Sequence, residues 1–268
     1  MAHFEQTQFF HRVFDTFPEI FKSNSGFKII DFGSLNINGG PHDHIINTQY
    51  VGVDLGPGPN VDLVSPGELV DLPSHSFDAA ISSECFEHNP FWRETFMQMC
   101  RLTQPNAIVA FTCAGIGRRE HGTTRSDNGT SAPLVVEMGR EYYHNVSRRE
   151  VLNSLNISGW FDSYFCFENF KNRDTYFMGI RSGSNPVLLE RFDQLGIQLE
   201  KQYSPNMVER LRTLRLISSS STLLSLYFFT FRWFFRLQRF NDEGNKKRKL
   251  LRITLGRVMK KRFGQNLF

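Results

Sequence analysis

Four short apolar runs, each closed by a carboxylate, hydroxyl or glycine residue, limit what this chain can fold into. Phe27-Lys28-Ile29-Ile30 leads into Asp31-Phe32-Gly33, and Tyr50-Val51-Gly52-Val53 leads into Asp54. Phe77-Asp78-Ala79-Ala80-Ile81 leads into Ser82-Ser83-Glu84, and Ala107-Ile108-Val109-Ala110-Phe111 into Thr112-Cys113-Ala114-Gly115. Continuous apolar runs of this length suit strands covered on both faces, as in a parallel sheet. In such a sheet ligands bind at the carboxyl ends of the strands, so the residues that close the runs are the candidate site.

Helical punctuation separates these runs. Phe10, Val13, Phe14, Phe17 and Phe21 recur at helical spacing over residues 4–21, with Pro18 ending or kinking that helix. Asn89 as N-cap and Pro90 as first helical residue open a helix whose stripe is Trp92, Phe96, Met99 and Cys100, and Pro105 stops it. Ser147-Arg148-Arg149-Glu150 is a capping-box pattern. Tyr164 to Phe170 and Asp174 to Ile180 read as strands joined by the turn Lys171-Asn172-Arg173. Strand–helix repeats followed by a hairpin place the chain in the α/β class. The expected division is a domain over 1–183, opened by an N-terminal helix within 1–26, and a helical extension over 184–268. Within that extension, residues 187–217 read as two short helices broken near Ser204-Pro205.

Length and composition exclude other classes. The 268 residues, 40% of them hydrophobic and 22% charged, can bury a full core, so a disordered or collagen-like chain is excluded. Cys85, Cys100, Cys113 and Cys166 are scattered with no CxxC pair, against a zinc ribbon or a disulfide framework. With no signal-peptide h-region in MAHFEQTQFFHRVF, the expected setting is reducing and cytoplasmic, and the sequons at Asn128, Asn145 and Asn156 are read as chance.

The run ends specify a nucleoside cleft. Asp54, closing the second run, has the geometry to accept both hydroxyls of a ribose, and the glycine turn at Gly33 lets backbone approach a ligand. The segment Gly33-Ser34-Leu35-Asn36-Ile37-Asn38-Gly39-Gly40 lacks the G-x-G-x-x-G spacing that a pyrophosphate dinucleotide requires. S-adenosylmethionine (SAM) carries a ribose and adenine but no phosphate, so it needs the ribose acid more than a phosphate nest.

DFGS…NGG, YVGVDLGPGPNVDLV and SFDAAISSECFEHNPFWRETFMQMCRLTQPNAIVAFTCAG together resemble a class I SAM-dependent methyltransferase over roughly residues 28–182. More narrowly, they are similar to methyltransferase-domain proteins of bacterial surface-glycan biosynthesis. The resemblance implies a Rossmann-like, mostly parallel sheet with a C-terminal antiparallel hairpin. It implies Asp31, Gly33 and Ser34 around the methionine part of SAM, Asp54 on the ribose, Leu55 against adenine, and Ser83 and Glu84 beside the sulfonium. Leu35 and Ile37 stand where the family's motif usually has glycines, and Gln104-Pro105-Asn106 replaces its Pro-Gly-Gly turn.

Methyl transfer is an in-line displacement, and a hydroxyl nucleophile also needs a proton acceptor or a metal. Glu84, Glu87 and His88 form an E-x-x-E-H cluster that resembles one in ubiquinone-pathway O-methyltransferases, where it is associated with a divalent metal. Two carboxylates and an imidazole would suit Mg²⁺ or Mn²⁺. The blander reading has Glu87 and His88 cap and orient the helix at Asn89, and no metal ligand is assigned. His88, His121, His144 and Glu87 are the candidate catalytic residues. The polar stretch from Gly115 to Asn145 is long enough to be a functional loop and is expected as a substrate lid. In it Arg118, Arg119 and Arg125 are candidate contacts for an acceptor phosphate or carboxylate, and Tyr142 and Tyr143 for a sugar face.

The net charge of +4 hides an asymmetry. Residues 232–262 hold 12 Lys/Arg against Asp242 and Glu243, a local +10 that leaves −6 for the rest of the chain. Leu223 to Leu237 is 15 residues with Arg232 inside, short of the ~20 a spanning helix needs. An interfacial helix with Tyr227 and Trp233 at the acyl boundary, followed by a polybasic segment, suits an anionic membrane surface, with a buried hydrophobic helix as the other reading of Leu223 to Leu237 and nucleic acid as the rival partner. The whole reads as a SAM-dependent O-methyltransferase acting on a glycan hydroxyl, peripheral on the inner face of the plasma membrane through 223–268. The rivals are a small-molecule O- or N-methyltransferase and a catalytically degenerate, membrane-associated assembly subunit.

Overall fold

The computed structural model describes residues 4–23, 26–46, 49–169 and 171–203. The reading of residues 223–268 as a basic membrane or nucleic-acid contact lies outside the described residues. Seven strands form one sheet in the order β3-β2-β1-β4-β5-β7-β6. They are β1 (Lys28–Phe32), β2 (Gln49–Asp54), β3 (Leu63–Val64), β4 (Phe77–Ser83), β5 (Thr103–Ala114), β6 (Phe161–Asn169) and β7 (Asp174–Arg181). The first five are parallel, while β7 pairs antiparallel with both β5 and β6. This is the expected mostly parallel sheet closed by an antiparallel hairpin.

Period-2 alternation divides the central strands between two cores. Ile30, Ala80, Val109, Phe111 and Phe177 pack with Trp92, Phe96 and Met99 of α3 (Trp92–Leu102), Val151 of α5 (Arg148–Ser154) and Ile157 of α6 (Ile157–Trp160). Their neighbours Ile29, Ala79, Ile81, Ile108, Ala110, Met178 and Ile180 face α1 (Phe4–Thr16), α2 (Pro18–Phe21) and α7 (Pro186–Tyr203). The fourth helix, α4 (Pro133–Glu137), lies in the stretch after β5. Covering both faces is why the strands read as unbroken apolar runs.

Two boundaries differ from the sequence reading. The helix expected from Asn89 begins at Trp92, because Asn89 Oδ1 accepts the Phe91 amide at 2.8 Å and its carbonyl accepts the Trp92 amide, forming a turn ahead of the helix. That helix ends at Leu102, three residues before Pro105, where the Thr103 amide donates to the Met99 carbonyl and the Thr103 hydroxyl shares its hydrogen between the Met99 and Cys100 carbonyls. Pro105 instead lies within β5. Past Gly183, helix α7 packs on β6 and on α1. Among the described residues no helix is long and apolar enough to cross a membrane.

Phe192 of α7 is fully buried between Phe17 and Phe165. Phe192→Ala should therefore cost about 3–5 kcal/mol of unfolding free energy in urea titration. A loss under about 1 kcal/mol would show that α7 is an appendage and not part of the sheet's unit.

Candidate active site

The tips of β1, β2 and β4 open on one cavity of about 950 Å³, at the upper end of the range for small-molecule sites. Asp31, Gly33, Ser34, Asp54, Leu55, Ser83 and Glu84, all expected around a cofactor, line it together. They meet because β1 lies between β2 and β4, the point where the chain's strand order reverses direction. Gly33 has φ +79°, and a Cβ there would lie 2.5 Å from Cys85 Cβ, so only glycine lets the β1 turn pass the start of the turn after β4.

Asp54 is held from two sides. Its Oδ2 accepts the Leu35 amide at 2.9 Å and its Oδ1 the Leu55 amide at 2.7 Å. Each oxygen keeps a lone pair for a further donor, so a diol can be taken by a carboxylate already fixed in place. Leu35, which replaces a usual glycine, serves through its backbone amide, and its side chain is turned onto Gly58. Burial raises the Asp54 pKa, and the two amide bonds pull it back.

Asp31 is buried with its Oδ2 accepting the Tyr50 hydroxyl at 2.8 Å, while Oδ1 has no partner. Burial pushes its pKa up to about 7, opposed by the Tyr50 bond and assisted by the Asp54 charge. Nothing in the sequence reading singled out Tyr50, because a tyrosine opening a strand carries no site signal of its own. Glu84, the residue after β4, has φ +53°, a left-handed conformation rare for a non-glycine residue, and both its carboxylate oxygens are buried without a partner. Burial first, then the Glu87 charge, drive its pKa well up.

The four candidate catalytic residues separate. His88, in the 3₁₀ turn Phe86–His88, lines the cavity. Glu87 and His121 lie beside it, with His121 Nε2 3.6 Å from Glu87 Oε1 and the His88 and His121 rings edge to face at 5.1 Å. His144 stands apart, its Nε2 2.8 Å from Glu150 Oε1 next to the Ser147 capping box, which forms as expected. The helix-capping reading of Glu87 does not hold: neither of its carboxylate oxygens has a hydrogen-bond partner, and the start of α3 has no side-chain cap.

Part of the stretch after β5 lines the cavity. Ser131 to Val135, spanning the start of α4, and Gly139 to Tyr142 all line it. Of its arginines, Arg118 reaches Asp174 at 3.5 Å and the Asn172 carbonyl at 2.8 Å, and Arg125 pairs with Glu120 at 2.8 Å. Tyr142 reaches the cavity, while Tyr143 packs on the rings of His88 and His121.

The sequence matches no family model and no curated protein. Solved structures that it resembles include the CurJ carbon methyltransferase, 14% identical over 59% of this chain, TM-score 0.41. Another is a Haemonchus contortus phosphoethanolamine N-methyltransferase, 14% identical over 64% of this chain, TM-score 0.42. A third is a Burkholderia thailandensis 1,6-didemethyltoxoflavin N1-methyltransferase, 10% identical over 66% of this chain and 79% of that one, TM-score 0.44. The chain spans about half the length of the first two, 49% and 52%. The strand order of the chain itself carries the fold assignment.

Asp31 makes stability depend on pH in a defined direction. Its folded pKa of about 7 lies above the unfolded 3.8, so the folded state holds the extra proton between those values. Stability is then fully present below about pH 4 and is lost as pH rises to about 7. The melting temperature of the wild type should fall relative to Asp31→Asn across that window and run parallel above it. Parallel curves throughout would contradict this placement of Asp31.

Proposed function

We propose that this chain is a SAM-dependent methyltransferase that delivers the methyl group to an oxygen acceptor. The observation that carries the reading is Asp54, its two carboxylate oxygens fixed by the Leu35 and Leu55 amides at the mouth of a cavity that also holds Asp31 and Glu84. A ribose diol fits the first. A ligand with an ammonium and a sulfonium group suits a wall carrying the buried, unpartnered oxygens of Asp31 and Glu84.

Transfer needs the acceptor oxygen, methyl carbon and sulfur in line, and water kept out. In this arrangement the roof formed by Ser131 to Val135 and Gly139 to Tyr142 excludes water and seats the acceptor. As the acceptor's oxygen bonds to the methyl carbon, the carbon–sulfur bond breaks and leaves neutral S-adenosylhomocysteine. The hydroxyl proton passes to the Glu87, His88 and His121 cluster, whose cavity-lining member is His88. Burial lowers the His88 pKa, so its ring is neutral and able to receive a proton near pH 7. An oxygen acceptor is the reading this base supports, since a hydroxyl must lose a proton to react. That the acceptor is a sugar of a surface glycan, lipid-linked and met at an anionic membrane, is supported by the sequence resemblance and by the basic residues of 232–262.

Calorimetric titration with SAM should give saturable heat for the wild type, and Asp54→Ala should weaken binding on the order of 10–100-fold. No heat for the wild type would favour the catalytically degenerate reading. With radiolabelled SAM and a panel of hydroxyl acceptors, His88→Ala should lower kcat by roughly 10²–10⁴ while SAM affinity stays near wild type. Unchanged turnover would remove His88 from the proton path.

A further inference from the structure

Glu87, His88 and His121 bring one carboxylate oxygen and two ring nitrogens within 4.8 Å of one another. Two come from the 3₁₀ turn after β4 and the third from the stretch after β5. Glu87 is fully buried, and the polar side-chain atom facing its carboxylate is His121 Nε2, 3.6 Å from Oε1 and just beyond hydrogen-bond length. Across from it, His121 Nδ1 lies 3.1 Å from the Arg119 carbonyl oxygen. A carbonyl only accepts, so in the neutral ring Nδ1 carries the proton and Nε2 turns its lone pair toward Glu87 Oε1, 3.6 Å away. An acceptor then faces an acceptor, an arrangement that needs either a proton on Nε2 or a cation between the two.

His88 has the same character. Its Nδ1 is buried without a partner, while the Tyr142 backbone hydrogen-bonds the ring. Histidines that bind metals commonly have one nitrogen free for the ion and the other fixed by a carbonyl or carboxylate. Glu87 and Asp174 are both fully buried carboxylates, and Arg118, 3.5 Å from Asp174, is paired with the second of them.

We propose that Glu87, His88 and His121 form a binding site for one divalent transition-metal ion of the Zn²⁺ class. A carboxylate oxygen with two imidazoles suits Zn²⁺, Mn²⁺ or Fe²⁺, and not Mg²⁺ or Ca²⁺, which take oxygen-rich shells. The 3.6 Å between Nε2 and Oε1 is close to the ~3.4 Å edge of a tetrahedron with bonds of ~2.05 Å. The donor set is not the one that the E-x-x-E-H spacing suggests, because it leaves out Glu84 and recruits His121 from another loop. Gly122 makes the meeting possible: at φ +67° its backbone lies so close to His88 that a Cβ would be 2.5 Å from Cε1. The ion ties the stretch after β5 to the tip of β4; in the metal-loaded protein all three side chains are ligands, so the proton-accepting role given above to His88 is that of the metal-free protein.

The test needs no SAM, so its outcome is independent of the methyltransferase reading. Untagged full-length protein, stripped with chelator, is titrated with Zn²⁺, and the metal retained after gel filtration is counted by mass spectrometry. One Zn²⁺ per chain is expected, Co²⁺ should give visible absorption bands of a nitrogen–oxygen site, and excess Mg²⁺ should not displace either. His121→Ala and Glu87→Gln should each weaken binding about 100-fold or more, with His75→Ala unchanged. Because His121 is partly exposed, His121→Ala should keep the wild-type near-ultraviolet circular dichroism, which separates ligand loss from misfolding. Substoichiometric metal in the wild type, equal binding by His121→Ala, or displacement by Mg²⁺ would overturn the proposal. A protonated His121 paired with Glu87 is the metal-free rival, and it predicts no Co²⁺ bands.

Discussion

Both faces of the sheet are covered, and that burial decides where polar chemistry can stand. A side chain in the middle of β1, β4 or β5 points into one of two apolar cores, one with α3 and one with α1 and α7. Polar and acidic groups are therefore pushed to the strand ends, where water or a ligand can reach them. Because β1 lies between β2 and β4, three such ends meet at one cavity. The position of Asp54 beside Gly33 and Glu84 follows from strand order before any side-chain preference is considered.

The same burial gives the site its electrostatics. Asp31 and Glu84 keep carboxylates in surroundings that raise their pKa, with oxygens that no protein group satisfies. Such groups cost stability in the free protein and are retained where a ligand or ion completes them. Asp54 is arranged differently, since two backbone amides hold it and leave lone pairs toward the cavity. One end of the cavity is thus prepared for a neutral diol and the other for positive charge. The cluster of Glu87, His88 and His121 extends that negative lining behind the wall, to which part of the stretch after β5 contributes.

The strands and their acidic tips were legible in the sequence because a doubly covered strand writes itself as a continuous apolar run. Asp54 and the Gly33 turn could be placed at a nucleoside cleft from the run ends, while the places of Asp31 and Glu84 around the cofactor came from the family resemblance. The two-residue β3 left no periodicity to read, and the start of α3 was displaced because Asn89 caps a preceding turn with the same hydrogen bonds it would use at a helix. The convergence of His121 on Glu87 was invisible, since it depends on how the stretch after β5 folds back and no spacing encodes that. His144 and His121 looked alike as sequence. Only the packing shows one beside the cavity wall and the other committed to Glu150.

A crystal structure of the protein soaked with S-adenosylhomocysteine tests the central claim most directly. The account predicts density for both ribose hydroxyls on the Asp54 carboxylate, the amino-acid end beside Asp31 and Gly33, and the sulfur facing Ser83 and Glu84. Ligand density elsewhere in the molecule, or a pose in which Asp54 makes no contact with the ribose, would contradict it.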